Sequence, residues 1–343
     1  QTGHHMVNLP EQEKSHWLHI AHEIISHYDL TNPTIEWLAY SHNAVFLVTP
    51  ITDETHPYIL RIHQPDSIEQ SKLESELHWL TYLKTQNLTV SIPVPTTSGA
   101  NSVDVNHQGN VYTGALFHYL RGNTIQPEKL NPTTTQHIGE FIAHMHIAAQ
   151  HFTPPENFNR HTLDYEGLFG ESGIYHPGDA INIFTDEQRH IMDAARDRIK
   201  KIMESIGRNK DHFGMIHGDM LLKNILIHDN TIRALDFEYC GYGYFLYDLT
   251  PLLWQMKTDA DRYDTLEAAL WQGYTKIRPV AAEDYQHLES FIVARQIASL
   301  RWLAQNLHNP AVKDVAPKLI QQRITELEAF LATGKLKRAS VTS

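Results

Sequence analysis

Cysteine is nearly missing from this chain: Cys240 is the only one in 343 residues. No internal disulfide can form, no cysteine-rich zinc site can be built, and a reducing compartment is allowed. Long apolar stretches are missing too. No run approaches the about 18 residues that a membrane span needs, and no charged start followed by an apolar core marks a secretory leader. The expectation is a cytoplasmic protein without a membrane partner. Gln1–His5, ahead of Met6, read as an expression remnant and stand outside the fold reasoning. Basic residues are in deficit, with 28 Lys and Arg against 40 Asp and Glu, a formal net charge of −12. That balance argues against a nucleic-acid partner. It suits a cationic substrate, or simply solubility. Internal repeats and low-complexity segments are absent.

What remains is an ordinary globular composition, 41% hydrophobic and 20% charged. The length suits one large domain or two lobes. Histidine is abundant, with 24 copies. His144 and His146 stand two apart in a helical stretch and so point to different faces, which reads as structural rather than zinc-binding.

The order of elements is informative. Trp17, Ile20, Ala21, Ile24 and Ile25 recur at helical spacing within Glu11–Tyr28. Strand-like runs follow at Thr34–Tyr40, Ala44–Thr49 and Tyr58–His63. Helical periodicity returns over Ser67–Thr85, and Val103–Val105 with Val111–Tyr119 read as a hairpin about Gln108-Gly109-Asn110. Strands with an embedded helix predict an α+β lobe on an antiparallel sheet. Arg121-Gly122-Asn123 is a turn signal and the expected boundary, giving lobes over 6–120 and 121–335. The second is expected to be mainly helical, over Thr133–His151, Asp186–Ile206, Leu246–Met256, Tyr263–Tyr274, Asp284–Gln305 and Lys313–Ala332. Phe152–Asp186 reads as one long irregular segment, of the kind that is usually functional or disordered. Short β-like runs sit at Ile225–Ile227 and Ile232–Leu235, and Tyr239–Tyr247 reads as running straight into a helix.

The chemistry concentrates in Ile216-His217-Gly218-Asp219 through Asn224, then Ala234-Leu235-Asp236-Phe237-Glu238. The pattern is His-x-Asp-x4-Asn on a loop, a strand, a turn at Asp229-Asn230, a second strand, and Asp-Phe-Glu. Each fragment alone is weak, but the composite fixes three polar positions about a strand–turn–strand. Phosphoryl transfer needs a group that orients the acceptor hydroxyl and takes its proton, ligands for Mg²⁺, and a grip on the triphosphate. Asp219 can meet the first need. Asn224 and Asp236 offer the hard oxygens that Mg²⁺ prefers.

These motifs resemble those of the aminoglycoside phosphotransferase and choline-kinase-like superfamily, relatives of the protein kinases, from about Ile35 to about Gln255. The resemblance implies a bilobal protein-kinase-like fold with a nucleotide-binding lobe over 6–120 and a catalytic and acceptor-binding lobe over 121–335. It implies ATP and Mg²⁺ as cofactors. Asp219 becomes the catalytic residue, supported by His217, and Asn224 and Asp236 become metal ligands. Asp248 matches an aspartate that braces the catalytic loop, or else it is an ordinary acidic residue at a helix start. Arg61, ending a strand, and Glu76, on the next helix, match the pair that grips the α- and β-phosphates, or else form a surface salt bridge. Protein kinases carry Lys at that strand position; choline-kinase-like enzymes also carry Arg, which binds in a different, forked geometry. The turn after Tyr40 lacks Gly-x-Gly-x-x-Gly, leaving Ser41 and Asn43 as phosphate-loop candidates or as a plain hairpin turn. His118 and Leu120 are expected to meet adenine through their backbones.

The acceptor is less legible. Thr153–Gln188 carries Glu156, Asp164, Glu166, Glu171, Asp179, Asp186 and Glu187. That is an acidic wall for a cationic acceptor, or a solvated loop. Tyr165, Phe169, Tyr175, Tyr239, Tyr242 and Tyr244 can stack on a sugar or cation, or pack as core. The expectation is a kinase for a small hydroxyl compound of aminoglycoside, amino-alcohol or amino-acid type. The alternatives are an atypical bacterial Ser/Thr protein kinase, against which no activation segment stands out, and a non-catalytic nucleotide-binding regulator.

Overall fold

The computed structural model describes residues 9–40, 43–336 and 338. Their contacts divide the chain into two compact units. The first takes the chain through Asn123, plus Thr153–Arg160 and Arg233–Glu238; the second takes Thr124–Phe152, His161–Ile232 and the chain from Tyr239 onward. Neither is one continuous stretch, unlike the simple division at Leu120 and Arg121 expected from the turn signal.

The first unit runs α1 (Glu11–Ile25), β1 (Thr34–Tyr40), β2 (Asn43–Thr49), β3 (Tyr58–His63), α2 (Gln70–Thr85), β4 (Val103–His107) and β5 (Asn110–His118). Its antiparallel sheet has the order β1-β2-β3-β5-β4, so β1 and β4 are the edges. Alternation explains the burial of β2: Ala44, Phe46 and Val48 face inward and are fully buried. They pack with Trp17, Ile20 and Ile24 of α1 in one core. Gln108 and Gly109 turn β4 into β5 with φ of 53° and 84°, the left-handed pair that a two-residue hairpin requires. Register places Arg61 opposite Ala115.

The chain leaves the first unit through β6 (Asn123–Thr124) and enters α3 (Pro132–His151), whose first turn is capped by the Asn131 side chain. Then come β7 (Thr162–Leu163), α4 (Tyr165–Phe169), α5 (Asp186–Ile206), β8 (Phe213–Ile216), β9 (Ile225–His228), β10 (Thr231–Ala234) and β11 (Gly241–Tyr244). Helices α6 (Phe245–Met256), α7 (Ala260–Ile277), α8 (Ala282–Tyr285), α9 (Leu288–Gln305) and α10 (Pro310–Thr333) complete the second unit. A small sheet orders β7-β11-β8. Helices α3 and α7 cross where both lack a side chain: a Cβ on Gly139 would lie 2.2 Å from the Leu270 carbonyl oxygen, and one on Gly273 would lie 2.0 Å from that of Gln136.

Three expectations change. Phe152–Asp186 contains β7, α4 and a 3₁₀ turn at Gly178–Ile183, elements too short to show a period. Asp284–Gln305 is two helices, broken at Gln286 and His287. Tyr239–Tyr247 includes β11, a strand whose two glycines hide its β character. Among the described residues no helix is long and apolar enough to cross a membrane.

Candidate active site

The sequence candidates fall into two groups, one in each unit. In the second unit, the loop between β8 and β9 holds His217, Asp219 and Asn224. It turns at Gly218, whose φ of +82° and Cβ position, 2.8 Å from the Tyr239 carbonyl oxygen, exclude a side chain. That turn aims two backbone amides at Asp248 of α6, which is fully buried. Asp248 Oδ1 accepts from the Gly218 N–H at 2.7 Å. Its Oδ2 accepts from the His217 N–H at 2.9 Å and from His146 Nε2 at 3.1 Å. An ionised carboxylate only accepts, so His146 carries its proton on Nε2 and its Nδ1 accepts from the Tyr274 hydroxyl at 2.8 Å. Tyr274 in turn accepts from Arg278 at 3.1 Å. Burial opposes ionisation of Asp248, but His146 and the His217 amide outweigh it and hold the carboxyl below its ordinary range. Burial keeps the His146 imidazole below its ordinary range despite that partner. Asp248 thus accepts from both amides of the turn and from His146.

Asp219 is 6% exposed. Its Oδ1 accepts from Arg295 Nη2 at 2.6 Å. Its Oδ2 accepts from Asn224 Nδ2 at 3.2 Å and lies 3.6 Å from Lys223 Nζ. Asn224 Nδ2 also donates to the Asp219 carbonyl at 2.8 Å. With its amide nitrogen engaged, Asn224 has only Oδ1 to give a metal. The Asp219 backbone N–H donates to His217 Nδ1 at 3.2 Å, so His217 stiffens the turn. Gln255 of α6 accepts from the Leu222 N–H at 3.0 Å.

In the first unit, Arg61 Nη2 donates to Glu76 Oε1 at 2.8 Å, with Glu76 fully buried. This is a buried pair, not a surface bridge. Burial alone would favour a neutral guanidinium, but Glu76, Glu238 and Asp236 hold Arg61 above its usual value. Arg61 Nε and Glu76 Oε2 are buried without hydrogen-bond partners, which leaves the pair able to bind more. Asp236 adopts φ +61°, a left-handed conformation that Asp tolerates better than most residues. Glu238 is pushed up to about 7, by burial first and then by Asp236 and Glu76, against Arg61 and Asn43. Asp236 raises Glu238 by repulsion, and the Asp236 carboxylate offers the hard oxygen that would suit a divalent cation such as Mg²⁺.

Other expectations resolve differently. Asn43 Nδ2 donates to Glu238 Oε2 at 2.9 Å, which ties it to the Asp-Phe-Glu stretch. Ser41 lies outside the described residues. The His118 N–H donates to the Ile92 carbonyl at 3.0 Å, so His118 has only its carbonyl for a base; Leu120 follows two residues on. Three of the seven acidic residues named in Thr153–Gln188 have charged partners. Asp164 caps α4 through the Gly167 N–H and pairs with Arg208, Glu166 lies 3.7 Å from Lys200, and Asp186 pairs with Arg189.

Sequence reading missed Arg295 and Arg160, and gave His146 no link to the catalytic loop. Arg295 interrupts the apolar run of α9, and a lone Arg among Phe291, Ile292, Val293, Ala294 and Ile297 was the available signal. His146 was legible only as structural. Arg160 donates to the carbonyls of Lys72 and Glu238, joining α2 to the Asp-Phe-Glu stretch within the first unit.

A family model described as the phosphotransferase enzyme family matches residues 39–283. The chain belongs to that family. It is an enzyme of the kinase type, transferring a phosphoryl group to a hydroxyl, and its fold is the kinase-like α+β fold of these enzymes. It is similar to a solved microcompartment-associated aminopropanol kinase, with 27% identity, a TM-score of 0.81, and 94% of this chain and 100% of that one covered. It is similar to the amicoumacin kinase of Bacillus subtilis strain 168, 22% identical over 236 residues, 68% of this chain and 66% of that one. A solved amicoumacin kinase in complex with AMP-PNP, Ca²⁺ and Ami superposes with a TM-score of 0.77 at 17% identity, covering 92% of this chain and 96% of that one.

Proposed function

We propose that this enzyme uses ATP and Mg²⁺ to phosphorylate a hydroxyl of a small, amine-bearing acceptor, of the amino-alcohol or aminoglycoside class. The observation that carries the reading is Asp219: a carboxylate fixed at both oxygens, by Arg295 and by Asn224, on a loop clamped by Asp248. Such a group orients an acceptor hydroxyl and takes its proton as the acceptor oxygen bonds to the γ-phosphorus and the bond to the β-phosphate oxygen breaks, releasing ADP. Arg61, oriented by Glu76, binds phosphate oxygens. Asn224 and Asp236 are the ligands for Mg²⁺, which when bound neutralises charge on the phosphates. The backbones of His118 and Leu120 meet the adenine. The nucleotide belongs to the 6–120 lobe, and the acceptor to the 121–335 lobe. The kinship with kinases for aminopropanol and amicoumacin supports an acceptor that carries both a hydroxyl and an amine.

The test is phosphate transfer from Mg·ATP across amino alcohols, choline, aminoglycosides, homoserine, hydroxylysine and generic protein substrates, with Asp219→Ala as the blank. Turnover with an amino alcohol or aminoglycoside, lost in the variant while nucleotide still binds, is the expected result. Turnover that survives Asp219→Ala overturns the role of Asp219, and exclusive activity on protein overturns the acceptor class.

A further inference from the structure

The first unit carries a second cluster of ligating side chains that phosphoryl transfer does not use. His19 and Glu23 stand four residues apart on α1 and so share one exposed face. His107 is the last residue of edge strand β4, held by pairing with Asn110 across the tight turn at Gln108 and Gly109. One ligand atom from each of these three side chains lies within 4.8 Å of the others. Around one zinc-sized cation, with bonds of about 2.0–2.2 Å, such atoms would stand roughly 3.3 Å apart, so small side-chain rotations close the set. The rings are already gathered: His107 lies 4.9 Å from His19 and 5.0 Å from His16, centroid to centroid.

We propose that His19, Glu23 and His107 bind one divalent transition-metal cation of the zinc class, stapling α1 to the edge of the sheet. Two imidazoles and one carboxylate are a borderline donor set that favours such a metal over Mg²⁺ or Ca²⁺, which call for oxygen. Three protein ligands leave a fourth position for water. The exposure of His19 and Glu23 gives the ion an entry path. His16 stands next to the site, its Nε2 3.0 Å from the Tyr112 hydroxyl. Because α1 packs on the sheet core through Trp17, Ile20 and Ile24, a cation joining its outer face to β4 restrains the helix from both sides. The site is built only from residues of the first unit and does not depend on the phosphotransfer reading.

The experiment is calorimetric titration of the full chain with ZnCl₂ in excess Mg²⁺, which fills oxygen sites. His4 and His5 are replaced by alanine so that terminal histidines do not contribute. One zinc per chain is expected, with a raised unfolding temperature. His19→Ala and His107→Ala should each abolish both effects, while His22→Ala, on the same helix, should keep them. Substituted chains that fold without metal to the parent's circular-dichroism spectrum show that loss of binding is local. No zinc uptake by the parent, or uptake unchanged in His19→Ala and His107→Ala, overturns the proposal.

Discussion

Replacing Asp248 by Asn keeps the shape of the side chain and removes its charge. In the parent the carboxylate accepts three buried hydrogen bonds, from the amides of His217 and Gly218 and from His146. Bonds to a charged acceptor contribute about 1.5–3 kcal/mol each, and neutral ones about half as much. An Asn there has one acceptor oxygen. Its amide nitrogen must face at least one of the three donors, and that donor is left buried without a partner. Losing one bond and weakening the other two sums to about 3–6 kcal/mol, before the stranded donor adds about 1–3 kcal/mol of its own. Urea unfolding should register it as a lower midpoint at unchanged slope. The pH dependence is a second signature. Because the folded state holds the Asp248 carboxyl below its ordinary value, its contribution is complete above the ordinary carboxylate range and is lost only as pH falls through the depressed folded value. The gap between parent and variant should therefore stay constant from pH 8 to about 5 and narrow only in stronger acid. A variant within about 1 kcal/mol of the parent at neutral pH would refute the clamp.

Arg295→Ala should lower kcat by about tenfold or more with nucleotide KM unchanged, because it removes a charge-assisted bond worth about 1.5–3 kcal/mol from Asp219; Arg295→Lys should recover part of kcat, and a change confined to KM would argue against positioning. Arg61→Ala should raise the nucleotide KM about tenfold or more, read in steady-state kinetics, on the same energy scale; unchanged KM would remove Arg61 from the phosphate grip. Gly273→Ala should destabilise the second unit by about 1–3 kcal/mol or more, since its methyl must displace the Gln136 backbone, and thermal unfolding will show it.

The strands and helices with clear periods were legible: β1 and β3 match residue for residue, and α5 runs over the expected Asp186–Ile206. What failed were elements too short to have a period, such as β7 and α4, and β11, whose Gly-Tyr-Gly-Tyr lacks the branched residues that mark strands. Asp219, Asn224 and Asp236 stood out as candidates because their spacing is local. Arg295 could not be assigned to Asp219, because 76 positions separate them and only the packing of α9 closes that distance. The chemistry of Asn43 was read from its place in a turn, and its amide turned out to face Glu238, 195 positions away. Composition left the acidic stretch after Thr153 open between a charged wall and a solvated loop; Asp164 pairs with Arg208 and starts α4, while Glu166 and Asp186 meet Lys200 and Arg189 of α5.

The first unit is stitched from three pieces of chain, the last being Arg233–Glu238. During synthesis, therefore, the sheet and α2 leave the ribosome long before Asn43 can meet Glu238, and before Arg160 can join the Lys72 carbonyl to that of Glu238. Until Glu238 has been made, the nascent chain must hold an unfinished unit with Arg61 and Glu76 in place and their carboxylate neighbours absent. A ribosome stalled before residue 238 should expose that unit to proteolysis, and one stalled well beyond it should not.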